Sequence, residues 1–509
     1  MDLDLPRLVR DGGRSRLLVG GHPFLILGLQ WGCDSCFSAE EMNSLFPHAR
    51  RMGANTAVLP VYWCEVEPEP GRYCFARVDE RVRQAQTHGL RAILLWFATW
   101  KNGCAFYAPE YIRADPATYR PAVDPQGRAL VSLCPLGEAT WQRDRDALVA
   151  LMAHLRQVDS GHTVIMIQIE NEPGIMGSDR CYCPACNARF AAEGWQATYG
   201  VHAAEAFSAV SVARYIDRLA AEAKAAYPLP MYTNVWLAPE VGGIAGRDYP
   251  SGGAVPAMLD LFWGELSHLD LVAPDIYRSG YRDFRSLCQA YGAGGRPLFI
   301  AEHSSSPAGR AERNVFYAVG KFGALGFDPW AIDSPHPERF APPLVDPVGG
   351  EWGPQAYALR DSYVAIGRAM RPIVEAQGTR RLFTLVQEPG EEAAGWEAEG
   401  CDVLVTYDDP QGAGRGLMVQ QSAREFLLIG SGYSVRFRRP RPDGRPVPVL
   451  RAEWGRYDGD RWVCLHPMRR ERPASEGHPL TLLEPGVARV ILDIGNDLRR
   501  DDEEPGLCA

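Results

Sequence analysis

The stretch Val164-Ile-Met-Ile-Gln-Ile-Glu170-Asn171-Glu172-Pro173-Gly174 constrains this chain more than any other. A continuous apolar run rich in β-branched side chains reads as a strand buried on both faces, as in a parallel sheet. It stops at two carboxylates flanking an amide, and Pro-Gly then turns the chain into a loop. Acids at the C-terminal end of a buried parallel strand lie where barrel enzymes carry their chemistry. In other settings a strand-end Glu is simply solvated.

A second segment has the same design: Pro297-Leu-Phe-Ile-Ala-Glu302-His303, followed by three serines. The interval between Glu172 and Glu302 accommodates about four βα units at roughly 30 residues or more each. Two acids on different strands of one barrel can face each other across its mouth, and paired carboxylates are what glycoside hydrolysis requires. One stays protonated to donate to the leaving oxygen; the other, ionised, attacks the anomeric carbon. A carboxyl separation of about 5–5.5 Å gives retention of configuration, and roughly 6.5–9.5 Å gives inversion.

Asn171-Glu172-Pro173 at one strand end and a lone Glu302 at a later one resemble the large clan of retaining (β/α)8 glycosidases. More narrowly, Gln168-Ile-Glu170-Asn171-Glu172 resembles the Q-x-E/D-N-E segment of β-galactosidases in glycoside hydrolase families 35 and 42. The resemblance implies that Glu172 is the acid/base and Glu302 the nucleophile, with Asn171 hydrogen-bonding the sugar 2-hydroxyl. Trp63, Glu67-Pro68, Gly71, Tyr73 and Phe75 match a further pattern of both families, which precedes a helix carrying an acid, here Asp79. The likeness covers most of residues 20–370. Gln30 stands where some relatives carry an acid, which leaves the sugar recognised at the rim open.

The rest of the chain to about residue 370 has the rhythm of a (β/α)8 barrel. Candidate strand segments are Phe24 to Trp31, Thr56 to Trp63, Ala92 to Phe97, Val164 to Glu170, Pro230 to Trp236, Leu269 to Tyr277, Pro297 to Glu302 and Gly323 to Phe327. Helical windows such as Asp144 to Leu155 and Ala209 to Ala225 fall between them. Glu172 and Glu302 then sit on strands four and seven, the positions the clan uses. Tyr277, in Asp275-Ile-Tyr277, is placed by the resemblance where a Tyr hydrogen-bonds the nucleophile, with packing as its other reading. Asn234, Trp236, Trp330 and Trp63 are candidates to reach the sugar or to pack in core and rim. His303 is structural or touches substrate, because a carboxylate pair completes the mechanism without it.

Cys181-Tyr-Cys183-Pro-Ala-Cys186 packs three thiols into six residues just past the acid/base strand. C-x-C-x-x-C is metal-ligand spacing, since a short loop can aim several sulfurs at one tetrahedral ion. Buried free thiols are the alternative. The family 42 resemblance implies a structural zinc whose remaining ligand lies on the loop after the third strand. Cys134 occupies that place, and Cys104 competes with it. Such a closed site takes no part in the chemistry, and no cofactor is expected for bond cleavage. Cys33-Asp-Ser-Cys36 is a second C-x-x-C without a partner pair.

Composition sets outer limits. A net charge of −10 argues against a nucleic-acid surface, and no apolar run reaches the roughly 18 residues needed to span a membrane. Thirteen Trp, 20 Tyr and 18 Phe can stack on pyranose faces, as a neutral oligosaccharide or glycoside substrate requires, although most aromatics are core. Met1-Asp-Leu-Asp-Leu-Pro-Arg has no basic segment followed by an apolar one, so a cytoplasmic protein with largely reduced thiols is expected.

Beyond residue 370 short alternating segments with turn-rich spacers read as an antiparallel, β-sandwich-like domain. Its segments around Glu425-Phe426 and Glu453-Trp454-Gly455 resemble the C-terminal β-domain of a bacterial family 35-like branch. The expected division is a catalytic barrel over 1–370, a β-domain over 371–500 and an acidic tail over 501–509. The β-domain could pack on the barrel, close one side of the site or build a homo-oligomer. The expected function is a retaining exo-acting β-glycosidase, foremost a β-galactosidase. The same mechanism on an α-L-arabinofuranoside or β-fucoside, and a non-hydrolytic carbohydrate-binding barrel, are the alternatives.

Overall fold

Eight short segments pair in parallel and close on themselves. They are β1 (Ile26–Gln30), β2 (Thr56–Tyr62), β3 (Arg91–Lys101), β4 (Val164–Asn171), β5 (Met231–Trp236), β6 (Leu271–Ile276), β7 (Ile300–Ser304) and β8 (Gly326–Trp330). Each pairs with its neighbours in chain order, and β8 returns to β1. This computed structural model describes residues 4–33, 35–278, 280–306, 309–333, 344–345, 352–407, 412–468 and 479–494; the expected acidic tail lies outside them. Every residue of β2, β4, β6 and β7 is buried, because side chains fill the barrel inside while helices cover it outside. That two-sided burial is why these strands read as apolar runs rather than as alternation.

The two anticipated helical windows lie within Glu138–Val158, the crossover from β3 to β4, and Ala203–Ala226, between β4 and β5. The eighth strand begins three residues later than expected, at Gly326; Gly323 sits at φ +64°, in a left-handed turn before it. Among the described residues no helix is long and apolar enough to cross a membrane.

The family pattern after β2 proves to be scaffold. Trp63 is fully buried and its indole donates to Glu67 (2.9 Å). Glu67 also accepts from the Gly71 amide (2.7 Å) and pairs with Arg143 of the helix Glu138–Val158. His154 of that helix stacks on Phe75 and meets Asp79 at 2.6 Å. These contacts fasten the loop after β2 to the helix behind β4.

Beyond the barrel, two antiparallel sheets form as expected. Six strands run in the order Leu382–Val386, Arg415–Gln420, Glu425–Ser431, Gly486–Leu492, Val449–Asp458, Arg461–Pro467. Four more run Ala393–Ala398, Cys401–Tyr407, Tyr433–Arg438, Leu480–Leu482. The larger sheet is buried on both faces by period-two alternation. Leu417, Val419, Leu427, Ile429 and Val487 join the barrel's core, whereas Met418, Phe426, Leu428, Ala488 and Val490 share a second core with the smaller sheet. Of the three roles left open for this region, packing on the barrel is the one the contacts display.

Candidate active site

Glu172 follows β4 and Glu302 lies within β7, so barrel closure brings two acids distant in sequence to one mouth. One carboxylate oxygen from each of them and one from Asp275 of β6 lie within 4.8 Å of one another. Both acids are more than nine-tenths buried. Burial, then the charge of Glu302, pushes the Glu172 carboxyl up to about 7, against the opposing pull of Lys101. An acid so placed is about half protonated at neutral pH, where an ordinary carboxyl has lost its proton. The backbone of Glu172 is gripped on both sides: its amide donates to Asn234 Oδ1 (2.7 Å), and its carbonyl accepts from the Gly103 amide (3.0 Å).

Glu302 is raised by burial too, but cationic Lys101 and the donors Tyr277 and Gln30 act to lower it. The Tyr277 hydroxyl donates at 2.5 Å, Gln30 Nε2 at 3.4 Å and Asn234 Nδ2 at 3.4 Å. Donors gathered on one oxygen pair favour its anionic form. Gln30, flagged as a departure at the rim, thus contacts the nucleophile candidate itself.

Sequence reasoning missed Lys101 and Asp275 as site residues. Burial acts to lower the Lys101 ammonium, yet Cys33 and the three facing carboxyls outweigh it and raise its pKa. Its side chain donates to Asn102, and Asn171 Nδ2 reaches the same Asn102 oxygen at 3.3 Å. Asp275 accepts from Asn234 Nδ2 (2.8 Å), and burial followed by Glu302 raises its pKa well above the usual range. The available signal was position, since both residues stand at C-terminal strand ends of a barrel.

The other sequence candidates separate by burial. Asn234 is fully buried beneath the acids, with its amide shared among Asn171, Asp275, Glu302 and the Glu172 backbone. Trp330 packs edge-on to Tyr277 with ring centroids 6.3 Å apart, half-exposed at the end of β8. Trp236 is likewise half-buried at the end of β5. His303 is fully buried: Asn314 Nδ2 meets its Nε2 and the Ser304 carbonyl meets its Nδ1, both at 3.0 Å. With the Asn314 amide nitrogen as donor, Nε2 is the acceptor in that contact.

Cys134, Cys181, Cys183 and Cys186 converge, with all four sulfurs within 4.8 Å of one another and all four residues buried. Cys134 Sγ is 3.6 Å from that of Cys186 and 3.9 Å from that of Cys183. Four thiolates at about 2.3 Å from a tetrahedral zinc stand roughly 3.8 Å apart, so donor type, number and spacing fit such an ion. Cys104 is not part of the cluster. The loop is organised by Arg180, whose guanidinium lies 3.7 Å from the Tyr182 ring centroid and 4.2 Å from that of Phe190.

A closed parallel barrel with buried acids ending its fourth and seventh strands has the architecture of the (β/α)8 glycosidases. Residues 38–206 match the profile of glycoside hydrolase family 42, described as beta-galactosidase, and residues 359–468 match a domain of unknown function (DUF5597). "Beta-galactosidase BgaA" of Thermus sp is 29% identical over 140 residues, 27% of this chain and 20% of that protein. The crystal structure of a β-galactosidase from Bacillus circulans sp. alkalophilus aligns over 70% of this chain and 57% of its own, at 15% identity and TM-score 0.50. That of a β-galactosidase from the psychrophilic Marinomonas ef1 covers 70% and 61%, at 14% identity and TM-score 0.51. The catalytic domain of a β-amylase from Paenibacillus polymyxa shares the barrel at TM-score 0.52 and 13% identity, over 66% of this chain and 97% of that one. The chain thus spans about three-fifths of the β-galactosidase structures and a fifth of the curated relative. Within its barrel the chain carries a segment similar to glycoside hydrolase family 42.

Proposed function

We propose that this protein is a retaining exo-β-galactosidase. The observation that carries the reading is that a carboxylate oxygen of Glu172 lies within 4.8 Å of one of Glu302, a nearest approach in keeping with the roughly 5–5.5 Å carboxyl separation of retaining enzymes and short of the roughly 6.5–9.5 Å of inverting ones. Glu172, kept protonated, donates to the departing glycosidic oxygen while ionised Glu302 attacks the anomeric carbon. A glycosyl ester of Glu302 forms; Glu172, now a carboxylate, takes a proton from water, which opens the ester. Asn171 is assigned to the 2-hydroxyl, and Tyr277 and Gln30 to holding Glu302 as an anion. Trp330 and Trp236 are assigned to the sugar's faces, and Asn234 to the base of the pocket.

A panel of p-nitrophenyl glycosides tests the glycone, and product NMR tests the stereochemistry. The β-galactoside should be cleaved fastest and release β-galactose first. Faster cleavage of the α-L-arabinofuranoside or β-fucoside would move the glycone and leave the mechanism. First release of the inverted anomer would overturn it, and no cleavage of any glycoside would leave a carbohydrate-binding barrel.

The division at residues 370 and 500 and a cytoplasmic location belong to the same reading. So does a structural zinc on Cys134, Cys181, Cys183 and Cys186, which would pin the loop after β4 to the hairpin that ends at Leu133. Because zinc binding to the folded chain adds to its stability, chelation or Cys186→Ser should lower the melting temperature by about 5 °C or more. Turnover below the new transition should persist. Immediate loss of activity in a folded, metal-free protein would contradict a structural ion.

A further inference from the structure

The joint between β3 and β4 is irregular at the height of the site. Trp96 pairs with Ile169, but the next pair is Lys101 with Asn171, so β3 bulges by three residues. Beyond the bulge the strands rejoin: the Asn102 amide donates to the Asn171 carbonyl and the Gly103 amide to that of Glu172, both at 3.0 Å. The bulge therefore decides where the Glu172 backbone is held. Two non-glycine residues of this segment are left-handed, Glu170 at φ +60° and Glu172 at φ +45°, a strained conformation that the surroundings must impose.

Glu170 supplies that constraint. Its Oε1 accepts from the bulged Thr99 amide (3.3 Å) and its Oε2 from the Trp100 amide (2.6 Å). Its carboxyl lies beside that of Asp144, on the helix Glu138–Val158, with Thr99 donating to both, its amide to Glu170 and its hydroxyl to Asp144. Asp144 Oδ1 accepts from Trp96 Nε1 (2.8 Å), and Oδ2 from Thr99 Oγ1 (2.8 Å) and the Tyr215 hydroxyl (3.0 Å). Both acids are fully buried, and every one of these donors is neutral. Two carboxyls side by side without a cation cannot both ionise; a hydrogen held between them makes a bond of the pair.

We propose that Glu170 and Asp144 share one proton and act as a positioning pair, fastening the β3 bulge so that Asn171 and Glu172 are aimed at the substrate. This rests on the reading of Glu172 as acid/base. The donor geometry makes the two members unequal. Both Glu170 oxygens face backbone amides, which cannot turn away, so Glu170→Gln sets an NH2 group against an N–H. Asp144 Oδ2 faces hydroxyls, which can reverse; Asp144→Asn keeps Oδ1 for Trp96 and donates to an anionic Glu170.

The test compares aryl glycosides of the sugar selected by the panel: a dinitrophenyl leaving group, which needs no proton, and a p-methoxyphenyl group, which does. Glu170→Gln should lower kcat on the poor leaving group by about 100-fold, as misplacement of a catalytic group does, with KM nearly unchanged. On the dinitrophenyl glycoside the loss should stay within a few-fold, and Asp144→Asn should stay within a few-fold on both. Equal losses on the two substrates would mark a merely structural role and overturn the proposal. Glu172→Ala is the control: if it lacks the leaving-group contrast, the acid/base reading fails instead. Should Glu170→Gln not fold, infrared difference spectra of wild type and Asp144→Asn decide. Loss of one protonated-carboxyl band is expected, and unchanged bands would refute the shared proton.

Discussion

Glu302→Gly should abolish turnover, by on the order of 10^4-fold or more as loss of a covalent nucleophile does in other hydrolases, and azide should restore it. The substitution leaves space on the face of the sugar where Glu302 attacks, and a small anion can occupy it. Azide entering there gives the α-glycosyl azide from a β-galactoside, with inversion, because Glu172 still protonates the leaving oxygen from the other face. Tyr277, Gln30 and Asn234 remain as donors to a bound anion. The product's configuration, read by NMR, separates this from contamination by wild-type enzyme, which would retain configuration. A variant with near-native hydrolysis, or one rescued with retention, would remove Glu302 from its role. Cys134 and its partners should not matter here, as they lie outside the acid cluster.

The barrel was legible because its strands are buried on both faces. That makes each one a short apolar run whose first polar residue marks the C-terminal end, and function sits at that end. Glu172 and Glu302 were proposed from such strand ends, and Tyr277 from the family resemblance. The cysteine cluster was legible because three of its members lie within six residues; the fourth depended on how the hairpin before Leu136 folds back, which local spacing does not encode. Lys101 was hidden by the β3 bulge: in a regular strand alternation would have given its direction, and the bulge breaks that alternation. Trp63 stayed open between sugar contact and core because an aromatic at a strand end looks alike in either role; its indole is held by Glu67. The Glu170–Asp144 pair joins a strand to the helix before it, and no periodicity in either segment announces it.

Glu172→Ala should lower kcat by roughly 10^2–10^4-fold on glycosides with poor leaving groups, and should erase the alkaline limb of the pH profile. In wild type that limb belongs to Glu172, whose carboxyl is held at about 7, first by burial and then by Glu302. As pH rises through this value the proton needed by the leaving oxygen is lost, and kcat/KM falls with it. The same shift acts on stability with a definite sign. The folded carboxyl retains a proton that the unfolded one, near its ordinary 4.5, has released, so this group's contribution diminishes from there up through about 7. Esterification of Glu302 removes one of the charges holding that proton, so the Glu172 pKa falls and the group is ionised, as a general base must be, when water is activated. Glu302→Gln imitates this state. Carboxyl NMR of that variant should find Glu172 titrating below about 7, whereas an unchanged value would show that burial alone sets it. In Glu172→Ala the glycosyl ester still forms from an activated substrate, and azide attacking from the opened face should yield the β-glycosyl azide. Opposite azide anomers from the two variants would place the two acids on opposite sides of one sugar carbon, and the same anomer from both would not.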